Sequence, residues 1–333
     1  MLKIHFDIQF HVHVHRDETT GSTLTDKSLS IGSILLSHYM ERQIEHALQQ
    51  RKYSTAHNYR TALSSFLRFR KGEDLPLHEL TVSILTDYEH WLKSRQISMN
   101  TISCYMRSLR SVYNKAVEEK VITDRKPFEK TYTGYPKTEK RSLTTDYIRK
   151  LNALSLPKDN CLRLVRDLFL FCIFACGMPF VDIAFLRKSQ ISEDGYLTYQ
   201  RRKTNRQIRL KLLPCALDII QRYQTAHSDY VFPILTHTDP DKAYKQYKEK
   251  LCYYNKVLKE VGKRAGISRT ISFYCARHSW ASLAYEANTD VSVISKGLGH
   301  STSRTTYIYI RGIDDTRLDD ANRKIIQRIL KNK

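Results

Sequence analysis

No apolar run in this sequence is long enough to cross a bilayer. The longest, Leu168 to Met178, is about half of the ~20 residues that a spanning helix needs, so a buried helix is expected there. Cysteine is sparse and unpatterned: the seven residues are odd in number, scattered, and form no Cys-x-x-Cys pair. That argues against a disulfide frame and against a zinc site of that spacing, and a reducing, cytoplasmic setting is expected. The N-terminus carries a lysine but neither a continuous apolar stretch nor a small-residue cleavage site, so no secretory signal is expected. No internal repeat is visible, and acidic residues are outnumbered.

What is abundant is positive charge. Lys and Arg total 55 against 34 Asp and Glu, giving a net +21 over 333 residues. Nucleic acid is the partner this surplus favours, because each phosphate contact releases condensed counterions and adds affinity independent of sequence. An anionic membrane would call for a clustered polybasic segment or a basic amphipathic helix, whereas these charges are spread along the chain. Apolar residues make up 41%, enough for real cores, and the length suits roughly two domains.

The chain divides by pattern. In residues 1–33, Ile4, Phe6, Ile8, Phe10, Val12 and Val14 alternate with polar residues, which predicts a strand, followed by a Thr/Ser/Asp-rich stretch. The role of this extension is open. His11, His13 and His15 share one strand face and invite a metal reading, but no further ligand is suggested nearby; an edge strand is the other account. Residues 34–122 carry helical signals: Tyr59, Leu63, Phe66 and Phe69 after a candidate N-cap at Ser54, then Ile102, Met106, Leu109, Tyr113 and Val117, with Arg107, Arg110 and Lys115 off that stripe. Those cations suit either a solvated face or a DNA-facing one. Residues 123–141, with Pro127, Gly134, Pro136 and many charges, read as a basic linker. Residues 142–333 are mixed. Helices are predicted over 144–154 and 161–176, and a hairpin over 196–212 with its turn at Lys203-Thr204-Asn205. The fold class expected is mainly α with a small β-hairpin, α+β.

The chemistry concentrates between Ser272 and Gly312. Ala276-Arg277-His278-Ser279 is followed by Gly297-Leu298-Gly299-His300, and Tyr309 lies nine residues after His300. This constellation resembles the second conserved box of the tyrosine recombinase (phage integrase) family, with its Arg-His pair, Leu-Gly-His and nucleophilic tyrosine. The chemistry explains the residue types. A phosphodiester repels anions and a tyrosine hydroxyl is a weak nucleophile, so charge building on the non-bridging oxygens must be met by fixed donors. Arginine offers a planar, permanently charged fork. The resemblance implies that Tyr309 forms a 3′-phosphotyrosyl link and frees a 5′-hydroxyl with no metal or other cofactor, that Arg277 clamps the phosphate, and that His300 supports phosphate and proton movement. It also implies that Lys203, in the hairpin turn, gives a proton to the departing 5′ oxygen. Beside Arg201, Arg202 and Arg206, Lys203 also suits a simple grip on backbone. Tyr307 is a second tyrosine two positions away, and His278 fits either a structural or a catalytic place.

Two departures from the family pattern stand out. Its first box reads Thr-Gly-x-Arg, and here Cys176-Gly177-Met178-Pro179 puts Pro179 where the other clamping arginine belongs, with Asp182 at the box's acidic position. Its His-x-x-Arg motif begins with Tyr274, whose hydroxyl can donate in place of the histidine. The chain resembles a bacterial subgroup that lacks the first arginine and carries an Arg-Asp pair in the preceding helix. Arg166-Asp167 is that pair here, and Arg166 either replaces the missing arginine or belongs to a surface helix with no role in the site.

By resemblance, 34–122 forms a helical core-binding domain and 142–333 the catalytic domain, closing as a clamp on duplex DNA that bears inverted-repeat sites. Leu318, Ala321, Ile325, Ile329 and Leu330 form a C-terminal apolar stripe that would either dock on a neighbouring protomer, linking four subunits on two sites, or pack on its own domain. An accessory DNA-bending protein fits the same scheme. Three functions stay open on sequence: an active recombinase, a binding protein that kept the fold but lost catalysis, and a topoisomerase of similar chemistry.

Overall fold

The computed structural model describes residues 34–134, 141–157, 160–310 and 315–330. The alternating segment with His11, His13 and His15 lies outside them. The chain divides into two compact units, residues 1–136 and 137–333, so the boundary falls inside the stretch read as a linker.

The first unit is helical: α1 (Leu36–Gln49), α2 (Tyr53–Phe69), α3 (Val82–Ser94) and α4 (Met99–Glu118). Each predicted stripe turns inward, with Tyr59, Leu63 and Phe66 of α2 and Ile102, Met106, Leu109 and Tyr113 of α4 all buried. Phe66 meets Tyr88 edge-on at 5.2 Å, and the Tyr88 hydroxyl donates to Ser65 at 2.7 Å. Ser54 does not cap α2; the helix starts one residue before it, with Lys52 at the N-cap position. Residues 123–134 do not behave as a linker. Phe128 is buried beside Tyr113, the Tyr132 amide donates to Glu89 at 2.9 Å, and Ser103 donates to the Gly134 carbonyl at 2.6 Å. Proline and charge suggested a free connection, but one aromatic and two hydrogen bonds strap the segment to its helices.

The second unit holds α5 (Thr145–Ala153), α6 (Cys161–Phe174), α7 (Phe180–Ala184), strands β1 (Tyr196–Gln200) and β2 (Gln207–Lys211), α8 (Pro214–Tyr223), α9 (Pro240–Arg264), α10 (Phe273–Glu286), α11 (Val291–Leu298), α12 (Ser303–Tyr307) and α13 (Asp315–Leu330). The long apolar run is a buried helix, as expected: α6, capped by the Asn160 side chain on the Leu162 amide at 2.9 Å, packs against α8, α9 and α10. Aromatics fill the space around it, with Phe171 4.9 Å from Phe232 and Phe180 4.4 Å from Phe273. The strands pair antiparallel from Tyr196↔Lys211 to Gln200↔Gln207, which leaves residues 201–206 as the turn. A smaller cluster of Ala281, Ile294, Leu298, Tyr309 and Ile310 lies apart from the main core. On α13, Ile325, Ile329 and Leu330 are exposed. Among the described residues no helix is long and apolar enough to cross a membrane, and no cluster of His, Cys, Asp and Glu suits a metal ion.

One polar residue is sunk into α6. Asp167, 1% exposed, accepts from Arg166 at 2.7 and 2.8 Å, from the Tyr223 hydroxyl at 2.8 Å, and pairs with Arg222. The remaining Arg166 nitrogen donates to the Leu154 carbonyl. Removing one member of such a buried network strands the others. Asp167→Ala should lower unfolding stability by roughly 3–5 kcal/mol, read as a shifted denaturant midpoint.

Candidate active site

Four stretches far apart in sequence converge on Tyr309. Helix α10 presents Tyr274, Arg277 and His278 on successive turns. The chain after α11 supplies His300, the bend after α6 supplies the Gly177 carbonyl, and the hairpin turn supplies Arg201 and Lys203. Two close approaches make this possible. Gly177 has φ +70°, and a Cβ there would lie 3.3 Å from the Arg277 Cα; Gly299 has φ +61°, and a Cβ would lie 2.8 Å from Ile208 and 3.0 Å from the Arg201 side chain. Both positions need glycine for conformation and for space.

Arg277 is 3% exposed, and its fork is spent on the protein: one nitrogen donates to the Gly177 carbonyl at 2.9 Å, the other to the Leu298 carbonyl and to His300 Nε2 at 3.0 Å. Burial and then the neighbouring Arg201 pull its pKa down to about 10. His300 is held on its other side by Thr306, Nδ1 to Oγ1 at 2.9 Å. Burial, followed by Arg277, Arg201 and Lys203, drops the His300 pKa to about 3, so the imidazole is neutral. The nucleophile candidate itself is 8% exposed. Its ring sits 5.0 Å from His300 and 4.6 Å from His278, and the Arg277 guanidinium carbon lies 5.4 Å from the ring centre. Tyr274 donates its hydroxyl to the Tyr309 hydroxyl at 3.1 Å. Burial and Tyr309 push the Tyr274 pKa up, so it stays a protonated donor as charge builds on Tyr309. His278 Nδ1 and the Ser282 hydroxyl lie 3.5 and 3.3 Å from the Tyr309 carbonyl, so both support the backbone at Tyr309. Tyr307 faces outward, half exposed.

Lys203 is exposed in the hairpin turn, near enough to His300 to depress its pKa. Arg166 is a correction. Its nitrogens are committed to Asp167 and Leu154, and it makes no hydrogen bond or ion pair with Arg277, His300 or Tyr309. The arginine that does enter is Arg201, which the sequence reading left as one of several hairpin cations. It is 5% exposed, donates to the Gly299 carbonyl at 2.8 Å, and keeps a buried Nε without a partner. The only sequence signal was its place two residues before Lys203, at the end of β1.

Two buried arginines side by side need a counter-charge, and the protein supplies little. Asp182 in α7 accepts the Arg202 amide at 3.1 Å, its other oxygen has no partner, and burial raises its pKa to about 6 despite the arginines. Arg201 Nε and Arg277 Nε are likewise buried without partners among the described residues. Arg277 and Arg201 thus form a buried cationic group whose charge is balanced only in part among the described residues, with the Tyr309 ring against its Arg277 side.

Comparison with known proteins gives the family. The sequence matches the Phage integrase SAM-like domain over residues 35–133 and the Phage integrase family over residues 141–315. The chain belongs to the phage integrase family, the tyrosine recombinases. It is 27% identical to the tyrosine recombinase XerA of Pyrococcus furiosus over 228 residues, 66% of this chain and 72% of that one. It is 24% identical to the tyrosine recombinase XerC of Listeria innocua over 277 residues, 81% of this chain and 91% of that one. The fold is similar to that of lambda integrase residues 75–356, solved as a dimer bound to a core site, with a TM-score of 0.59, 17% identity, and 84% of this chain and 98% of that chain covered.

Asp182 gives the site a pH signature. Its folded pKa, about 6, lies above the unfolded carboxyl value, so its stabilising contribution is complete below ~4 and is lost as pH rises through about 6. Asp182→Asn should therefore gain stability relative to the parent protein between pH 4.5 and pH 7, measured as the difference in unfolding midpoints at the two values.

Proposed function

We propose that this chain is a site-specific DNA recombinase that breaks and rejoins duplex DNA through a 3′-phosphotyrosyl intermediate on Tyr309. The observation that carries the reading is the buried, under-compensated Arg277, with Arg201 as its neighbour, beside Tyr309, whose hydroxyl already accepts a hydrogen bond. A phosphodiester supplies the missing negative charge and accepts from the orphaned donors, which strengthens as charge moves onto the non-bridging oxygens. Tyr309 Oη attacks phosphorus and its proton passes to His300. The P–O5′ bond breaks, and Lys203 Nζ protonates the departing 5′ oxygen. Tyr274 donates to Tyr309 Oη and steadies the developing phenolate. The bond energy stays in the phosphotyrosyl ester, so a 5′-hydroxyl from a second strand reverses the step without metal or nucleotide. Arg201 takes the part of the arginine missing at Pro179.

The natural partners are two duplex sites with inverted repeats, held by four protomers, with an accessory DNA-bending protein where the sites must be brought together. The exposed Ile325, Ile329 and Leu330 of α13 suit docking on a neighbouring protomer. Whether strands are integrated, excised or inverted depends on how the sites are arranged.

A nicked duplex carrying the sequence that flanks the source gene tests this by trapping the adduct. The parent protein should form a denaturation-resistant protein–DNA adduct, and Tyr309→Phe none. Tight, salt-sensitive binding with no adduct would leave a DNA-binding protein that has lost catalysis. Arg201→Ala should slow adduct formation by roughly 10²–10³-fold. Arg166→Ala should weaken the fold and leave the rate per folded molecule unchanged; the reverse ranking would return the clamp to Arg166.

A further inference from the structure

Thr306 is 0% exposed, a hydroxyl sealed inside the protein on the short helix that delivers the nucleophile. Buried hydroxyls need a partner, and this one has His300 Nδ1 at 2.9 Å. The opposite nitrogen of the same ring, Nε2, lies 3.0 Å from Arg277. Arginine has donors and no acceptor, so Nε2 must present its lone pair. The ring proton then sits on Nδ1, and the Thr306 oxygen accepts it. The neutral imidazole thus has one tautomer compatible with both neighbours.

Thr306 also reaches the nucleophile. Its carbonyl accepts the Tyr309 amide at 2.9 Å and the Ile310 amide at 3.3 Å. One residue therefore grips the histidine through its side chain and the tyrosine through its backbone. We propose that Thr306 is a positioning residue that anchors His300 as the Nδ1–H tautomer, so that the Nε2 lone pair is held toward Arg277, the phosphate-clamp candidate, in register with Tyr309. The inference rests on the proposed cleavage reaction for its consequence, while the tautomer itself does not depend on DNA.

The arrangement suits the proton's route. As Tyr309 Oη bonds to phosphorus, its O–H bond breaks and the proton goes to Nε2. The resulting imidazolium keeps its Nδ1–H on Thr306, since a hydroxyl oxygen accepts equally from the neutral and the charged ring. The Thr306 bond is the same in both states, and the Arg277 donor that occupies the Nε2 lone pair turns to the phosphodiester as the proton arrives. The imidazolium would sit beside Arg277, Arg201 and Lys203, the groups that hold the empty site's histidine neutral, and the negative charge of the phosphodiester answers them.

The test uses the full chain in two readouts. In protein labelled with 15N-histidine, the His300 resonances are assigned by their loss in His300→Gln, and the ring pattern reports the tautomer without DNA. The parent protein should show a single Nδ1–H pattern, and Thr306→Val, which keeps the shape and removes the acceptor, should broaden it into a mixture. On the nicked duplex, Thr306→Val should form the adduct more slowly, by roughly 10-fold or more, at unchanged DNA affinity, because general-base catalysis contributes ~10²–10⁴-fold and a mixed tautomer forfeits part of it. Thr306→Ser should restore both signals. An Nε2–H pattern in the parent protein overturns the inference even if Thr306→Val does not fold. So does a Thr306→Val protein that keeps the parent ring pattern or cleaves at the parent rate. If the parent protein forms no adduct but shows the Nδ1–H pattern, the cleavage reading fails and the anchoring of His300 stands.

Discussion

The guanidinium of Arg277 is the joint on which this site depends. Its nitrogens bind the carbonyl in the bend after α6, the carbonyl that ends α11, and the imidazole of His300. The first comes from a stretch of chain far from the other two, which flank the end of α11, and the guanidinium joins the two stretches. A planar fork with fixed donor directions sets their mutual distances in a way that a flexible ammonium would not. Gly177 and Gly299 are consequences of that geometry, since the backbone must come within van der Waals range of the arginines from both sides.

Electrostatically the centre is unbalanced. Two arginines are buried, the histidine beside them is driven neutral, and the nearby carboxyl of Asp182 is itself pulled toward its neutral form. A stable core would pair such charges internally, as the second unit does elsewhere with Asp167, Arg166 and Arg222. The contrast separates the two arginine groups by purpose. Arg166 has its anion built in and serves the fold. Arg277 and Arg201 have no such anion among the described residues, which is what the proposed reaction draws on.

Much of this was legible in the sequence, for reasons that can be stated. The His300–Tyr309 interval and the Arg277 motif are local spacings, and the α6 run and the hairpin follow from composition and turn residues. What escaped depends on contacts distant in sequence. Arg201 looks like Arg202 or Arg206 until Gly299, 98 residues away, brings a carbonyl to it. Arg166 looked available because the partners of Asp167 on α8, Arg222 and Tyr223, are 55 and 56 residues further on. Residues 123–134 read as a linker because charges outnumber apolar groups there, yet buried Phe128 and the hydrogen bonds at Tyr132 and Gly134 tie the segment down. The role of Thr306 needed both neighbours of one imidazole ring, which no spacing encodes.

The placement of Tyr309 in the small cluster with Ala281, Ile294, Leu298 and Ile310, apart from the main core, sets how independently it can move. Protein regions open with free energies that follow their own packing, and a satellite of five buried residues opens more cheaply than the aromatic core around α6. Local opening of that cluster would displace Tyr309 while the aromatic core around α6 stays packed, so different residues set the placement of this tyrosine and the stability of the unit that carries it.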